Sequence, residues 1–177
     1  MAATGGAKAA LARREKLIVL TFINHPDLLH EFLDAFAAVE FSATALDSLR
    51  TQIINSAALE LGLDNSALKS HLISRGFGPD LDRLENQATR LNEWFLGPAA
   101  AQDDARTGLR QMFALHRKTV TLDRELKAAE AVFVAEPTEE NFNTLSGLRE
   151  QFLSASGSEA LIAGFGAASG RVVDAIS

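Results

Sequence analysis

A regular apolar pattern between residues 104 and 152 constrains the fold of this chain more than any other feature. Within it, seven residues follow one another at alternating steps of 3 and 4, which places them on one face of an α-helix. Pro137 predicts that this helix ends at Glu136, because proline disfavours helical geometry in the residue before it. The seven residues of this seam are Met112, Leu115, Thr119, Leu122, Leu126, Ala129 and Phe133.

A second helix is predicted directly after Pro137. Thr138 has the hydroxyl group needed to cap it, and Glu139 and Glu140 place negative charge in its first turn. A connection this short predicts that the two helices run antiparallel as a hairpin. The apolar residues of the second helix recur at the same helical spacing and are Phe142, Leu145, Leu148 and Phe152.

The composition favours an all-α fold. Apolar residues make up 47% of the 177 residues, alanine and leucine are abundant, and there is no tyrosine. The net charge of −6 does not favour a broad nucleic-acid-binding surface, and we expect no direct nucleic-acid binding. Because the chain has no cysteine, it has no disulfide, no thiolate zinc site and no cysteine nucleophile. A cytoplasmic location and no association with membranes are the expectations.

The order of helix signals predicts a multi-helix bundle followed by the hairpin. Pro26 suits the first position of a helix and Ser42 is a predicted cap. Asp64 or Asn65 is predicted to cap a later helix, and Gly76 is its predicted stop. Gly97-Pro98 marks the main internal boundary. Of the 24 residues from 154 to 177, 15 are Gly, Ala or Ser, which indicates a flexible tail with at most a short docked turn at Leu161, Ile162 and Phe165. The predicted parts are a flexible lead-in at 1–12, the bundle at 13–101, the hairpin at 102–153 and the tail at 154–177.

No group of residues forms a recognisable active site, and we expect no metal, no cofactor and no enzymatic activity in this chain. His116, followed by Arg117 and Lys118, leaves open the alternative of a histidine phosphotransfer bundle, although the small residues that usually follow such a histidine are absent. A basic cluster near the N-terminus stands out in this acidic chain. It consists of Lys8, Arg13, Arg14 and Lys16, and it is either a solvated helix end or a docking site for an acidic peptide or a nucleic-acid backbone.

Several segments together resemble the C-terminal, helicase-binding region of the bacterial DnaG-type DNA primases. The resemblance covers roughly residues 12 to 152 and depends on the order and spacing of its motifs, since no single motif is strongly diagnostic. The segments that carry it are Arg14-Glu15-Lys16-Leu17, Asn24-His25-Pro26-Asp27-Leu28-Leu29, Phe41-Ser42, Leu115-His116-Arg117, Leu126-Lys127-Ala128-Ala129-Glu130 and Pro137-Thr138-Glu139-Glu140-Asn141.

This resemblance implies that the hairpin docks on the hexameric replicative helicase and couples primer synthesis to unwinding at the replication fork. It also implies a possible second site, at Arg14 and Lys16, for the acidic tail of single-stranded DNA-binding protein. The zinc and polymerase domains of a primase have no counterpart here. We expect the helicase contacts among hairpin residues that do not pack inward, although burial in the hairpin seam is the alternative for each apolar one. The candidates are Phe133, Phe142, Leu145, Leu148, Arg149 and Phe152.

Two further alternatives stay open. One is a generic helical adaptor without a role in replication. The other concerns assembly, because an exposed hairpin seam could also pair between two chains as a swapped dimer.

Overall fold

A computed structural model of the chain describes residues 2–59, 64–91, 94–157 and 168–170. Within these ranges every regular element is helical and no strand occurs, which confirms the all-α fold class. Two 3₁₀ turns, at Pro26–Leu28 and Trp94–Leu96, separate some of the helices. The seven α-helices of the described residues are α1 (Ala2–Asn24), α2 (Leu29–Ala37), α3 (Thr44–Leu59), α4 (Asn65–Ser74), α5 (Gly78–Leu91), α6 (Gln102–Ala135) and α7 (Glu139–Gly157).

The chain divides into two compact units. The first consists of Met1–Arg14 and Met112–Ala160, and the second of Glu15–Gln111 and Leu161–Ser177. Helices α1 and α6 each contribute residues to both units. Helix α1 begins at Ala2, so it includes most of the segment that was predicted to be a flexible lead-in.

Local signals account for several helix ends. The side chain of Asp64 accepts a hydrogen bond from the Ala67 N–H at 2.7 Å, which is the predicted cap of α4. Gly76 has a φ of +91°, a conformation that glycine adopts without steric cost, and it follows the end of α4 as predicted. Pro26 lies at the start of the first 3₁₀ turn rather than of an α-helix.

The predicted cap of α3 was wrong. Helix α3 begins at Thr44, and the backbone N–H groups of Leu46 and Asp47 bond to the carbonyl of Ala43. The Ser42 hydroxyl instead donates to the carboxylate of Glu15 at 2.7 Å. The Ser42 side chain, which the local sequence favours as a helix cap, therefore makes a tertiary hydrogen bond instead.

The core of the second unit is built around the apolar end of α1. Ile18, Phe22 and Ile23 are fully buried, and the ring of Phe22 lies 4.2 Å from that of Phe36 on α2. Burying such side chains contributes about 1.5–3 kcal/mol each, so this cluster contributes several kcal/mol to the stability of the unit. The large, fully buried side chains contributed by the later elements of this unit are Leu28, Phe36, Leu49, Ile53, Leu68, Leu72, Leu96 and Leu109.

Polar side chains tie the end of α1 to two later segments of the same unit. The Asn24 side-chain amide donates to the Leu96 carbonyl at 2.6 Å, and the Asn65 amide donates to Asn24 Oδ1 at 2.9 Å. His25 Nε2 lies 3.0 Å from the Gly97 carbonyl, which can only accept, so Nε2 carries the proton. Burial lowers the pKa of His25, and the hydrogen bond to Gly97 and the charge of Asp27 oppose this shift.

An ionic cluster connects α2 with α6. The Glu31 carboxylate accepts a hydrogen bond from Arg106 Nε at 2.8 Å and another from Arg110. The bond from Arg110, reinforced by Arg106 and by both positive charges, lowers the pKa of Glu31. The guanidinium of Arg110 also lies 5.9 Å from the centre of the Phe32 ring, within the range of a cation–π contact.

Part of the predicted tail contacts the start of α6. The Ser169 N–H donates to the carboxylate of Asp104 at 2.7 Å, and the Ser169 hydroxyl accepts from the Ala101 N–H at 2.8 Å. Helix α7 continues to Gly157, beyond the predicted end of the hairpin. The turn suggested at Leu161, Ile162 and Phe165 lies outside the described residues, as does the rest of the tail apart from residues 154–157 and 168–170.

Candidate interaction surface

Helices α6 and α7 share a small apolar core. Leu122 and Leu126 of α6 pack in one buried cluster with Leu145 and Phe152 of α7. Two of the predicted helicase contacts, Leu145 and Phe152, therefore lie inside the unit, and Phe152 is only 1% exposed. The remaining members of this cluster are Ala155 together with the partly buried Ala129, Phe133 and Leu148.

Short-range hydrogen bonds fix the turn between the two helices. Helix α6 ends at Ala135, one residue before the predicted end. The Thr138 hydroxyl accepts from the Asn141 N–H at 3.2 Å, which confirms Thr138 as the cap of α7. The Asn141 side-chain amide donates to the Glu136 carbonyl at 2.8 Å and so closes the turn from the other side. This part of the chain is held firmly by its own residues.

Three large apolar side chains are exposed next to this turn. Val134 is 82% exposed, Phe142 53% and Val132 51%. Phe133, between the two valines, is half-buried, and its ring centre lies 6.0 Å from that of Phe142. We call Val132, Phe133, Val134 and Phe142 the tip cluster. It is the main concentration of exposed apolar side chains among the described residues of the first unit.

The two predicted helicase contacts not yet described are Arg149 and Leu148. Arg149 is exposed and its guanidinium lies 3.5 Å from the carboxylate of Glu130, so it pairs α7 with α6. An exposed pair of this kind contributes about 0–1 kcal/mol to stability. Leu148 is half-buried against the shared core. Neither side chain is enclosed, so both remain available at the edge of a contact.

The basic cluster near the N-terminus is less open than the sequence suggested. Arg14 is buried, and its Nη1 donates to the Thr119 hydroxyl at 3.0 Å. Through this bond the Arg14 guanidinium holds α1 against α6 within the first unit. Lys16 is half-buried, whereas Lys8 is exposed. Of the two residues predicted to bind an acidic peptide, Lys16 is thus the more accessible.

His116 is also buried, with 3% of its surface exposed. A histidine that receives a phosphoryl group from another domain has to be reached by that domain, and this position offers little access. Among the described residues there is no group of three or more His, Asp or Glu side chains arranged to hold a metal ion. No helix in the described part of the chain is both long and apolar enough to cross a membrane.

Sequence reasoning missed Val132 and Val134. Both lie off the seam positions of α6, where an amphipathic helix normally carries polar residues. The signal that could have identified them is the presence of an apolar residue on each side of Phe133, which is a seam position.

We compared the chain with protein-family models, with curated proteins and with solved structures, and none of the three comparisons found a match.

Proposed function

We propose that this chain is a protein-interaction module, a helical bundle followed by a helical hairpin, that docks a DnaG-type primase on the hexameric replicative helicase. The observation that carries the proposal is the contrast within the α6–α7 pair. Leu122, Leu126, Leu145 and Phe152 lie in a shared core, whereas three members of the tip cluster are exposed beside a hydrogen-bonded turn. These three are Val132, Val134 and Phe142. The resemblance of residues 12 to 152 to the helicase-binding region supports the choice of partner.

The tip cluster is suited to binding because it combines apolar surface with a fixed backbone. Apolar area removed from water contributes about 25 cal/mol per Å². The hydrogen bonds of Thr138 and Asn141 hold the turn in place before binding, so little conformational entropy is lost there on association.

The tip cluster is smaller than a complete interface. Standard interfaces bury about 1,600 Å² in total, which is more than four side chains supply. The adjoining turns of α6 and α7, including Leu148 and Arg149, therefore belong to the proposed contact. Leu145 and Phe152 support it from inside by holding the two helices together.

A second candidate, an acidic-peptide site of the kind that receives the tail of single-stranded DNA-binding protein, has weaker support. Lys8 is exposed and Lys16 partly so, but Arg14 is engaged by Thr119. A phosphotransfer function through His116 has less support still, because that side chain is buried.

The proposal is tested by titrating the replicative helicase of the same organism into the fluorescently labelled chain and following anisotropy. We expect saturable binding by the wild-type chain. Phe142→Glu and Val134→Glu should each weaken it by tenfold or more, since a charge placed in a desolvated contact costs at least about 1.4 kcal/mol. Both positions are exposed, so the variants should retain the helical circular dichroism of the wild type.

Ile73→Glu is the matched control. Ile73 is 57% exposed, but it lies on α4 in the second unit. Its replacement changes the charge and the exposed apolar area in the same way and should leave the affinity unchanged. Wild-type affinity in both tip variants, or an equal loss in Ile73→Glu, would remove the tip cluster from the contact. No binding by the wild-type chain would contradict the proposed function itself.

A further inference from the structure

The exposed valines of the tip cluster face different directions. Successive residues of an α-helix are about 100° apart around its axis, so Val132 and Val134 lie about 160° apart, on opposite sides of α6. Phe133 lies between them and is turned toward Phe142 on α7. A flat partner surface reaches one side of a helix, whereas a concave one encloses its end.

The sequence around the tip cluster is acidic. Residues 128–148 contain four acidic residues and no Lys, Arg or His. One of the four, Glu130, pairs with Arg149. The other three, Glu136, Glu139 and Glu140, are exposed and form no ion pair within the described ranges.

Helix dipoles account for only part of this charge. Glu139 and Glu140 lie in the first turn of α7, where the helix dipole favours carboxylates. Glu136 follows the last residue of α6, and the dipole at that end disfavours negative charge. The three exposed carboxylates lie on the turn between the helices and in the first turn of α7, within a few residues of Val134 and Phe142 along the chain, and we call them the negative rim of the tip cluster.

We propose that the tip inserts into a concave apolar pocket on its protein partner, and that Lys or Arg side chains line the rim of this pocket. This inference rests on the proposed function and adds the shape and charge of the partner's site. The negative rim repels nucleic-acid backbones and anionic membrane surfaces, and it also repels the same tip of a second copy. A basic protein surface is the occupant that complements it.

The test uses the same helicase titration at about 50 mM and about 300 mM salt, where screening lengths are roughly 14 and 6 Å. The triple variant Glu136→Gln/Glu139→Gln/Glu140→Gln should bind about tenfold or more weakly at low salt. The difference from wild type should shrink at high salt, because ions screen the attraction to the basic rim. A triple variant that binds with wild-type affinity at both salt concentrations would overturn the proposal that Lys or Arg side chains line the rim of the partner's pocket.

The pocket shape is tested separately with Val132→Asp and Val134→Asp. If a concave pocket encloses the end of α6, each substitution should weaken binding by tenfold or more, because both sides of α6 are desolvated in the complex. A loss confined to one of the two would overturn the concave pocket in favour of a flat contact, while the proposed function would stand. Absence of helicase binding by the wild-type chain would instead overturn the proposed function, and this inference with it.

Two controls make the result specific. Asp27→Asn/Asp34→Asn/Asp82→Asn removes three exposed negative charges from the second unit and should leave the affinity unchanged. Sedimentation of the free chain addresses self-association. A dimer that forms with increasing concentration and disappears in the tip variants would overturn the inference in favour of a second copy as the occupant.

Discussion

The buried carboxylate of Glu15 holds Ser42 by both its backbone and its side chain. The Ser42 N–H lies 3.1 and 3.0 Å from the two carboxylate oxygens, and the Ser42 hydroxyl donates to Oε2 at 2.7 Å. Glu15 has no measurable exposure, so its charge depends on these donors for stabilisation. The contact fixes the segment between α2 and α3 against α1 within the second unit.

Glu15→Gln should therefore lower the free energy of unfolding by about 2 kcal/mol, because hydrogen bonds to charged groups contribute about 1.5–3 kcal/mol. Ser42→Ala removes only the hydroxyl and should cost about 1 kcal/mol. Urea unfolding followed by circular dichroism measures both. Ser48→Ala, at an exposed position of α3, is the control and should stay within about 0.5 kcal/mol of wild type. Equal stability of Glu15→Gln and Ser48→Ala would show that the contact contributes nothing.

His25 should make the stability depend on pH. Its pKa in the folded chain is lowered below the ordinary value of 6.5, chiefly by burial. Between the lowered pKa and 6.5 the unfolded chain binds more protons than the folded one, so stability is fully present above 6.5 and is lost as the pH falls through this window. The slope for one such group is at most about 1.4 kcal/mol per pH unit.

Urea unfolding at a series of pH values, compared between wild type and His25→Gln, isolates this contribution. Glutamine can still donate to the Gly97 carbonyl but does not titrate, so the slope should flatten. Ser48→Ala, a change at an exposed position that does not titrate, should leave the slope as it is. An unchanged slope in His25→Gln would contradict the assignment to His25.

Truncation of two phenylalanines of α7 should lower stability by very different amounts. Phe152 is buried in the core shared with α6, and Phe152→Ala should cost about 3–5 kcal/mol. Phe142 is half-exposed, so Phe142→Ala should cost about 1 kcal/mol or less. Amide hydrogen exchange across α6 and α7 measures both, and Phe152→Ala should accelerate exchange at Leu122 and Leu126. Similar exchange in the two variants would contradict the described core.

Two helical glycines offer a matched comparison. A Cβ at Gly147 would meet no atom within 4 Å, so Gly147→Ala should stabilise α7 by about 0.5–1 kcal/mol through helix propensity. A Cβ at Gly108 would lie 2.5 Å from ring carbons of Phe95. Gly108→Ala should therefore lower stability by about 1 kcal/mol or more despite the same gain in propensity. Thermal unfolding of the two variants should show shifts of opposite sign, and a stabilising Gly108→Ala would contradict the packing of Phe95.

Much of the secondary structure was predictable because its signals are local. The cap at Asp64, the stop at Gly76 and the cap at Thr138 each act within a few residues of the chain, and all three occur as predicted. The apolar spacing of α6 and α7 likewise identified residues of their shared core. The spacing could not separate buried from exposed positions, since Leu145 and Phe142 follow the same spacing but differ in exposure.

The sequence by itself determined the helical class, most helix boundaries and the acidic character of the α6–α7 turn, because propensity, capping and charge depend on neighbouring residues. Only the tertiary structure decided that Ser42 binds Glu15, that Arg14 binds Thr119 and that Ser169 binds Asp104. These partners are 27, 105 and 65 residues apart. No local pattern encodes such pairs, since each forms only when packing of the apolar faces brings distant segments of a unit together.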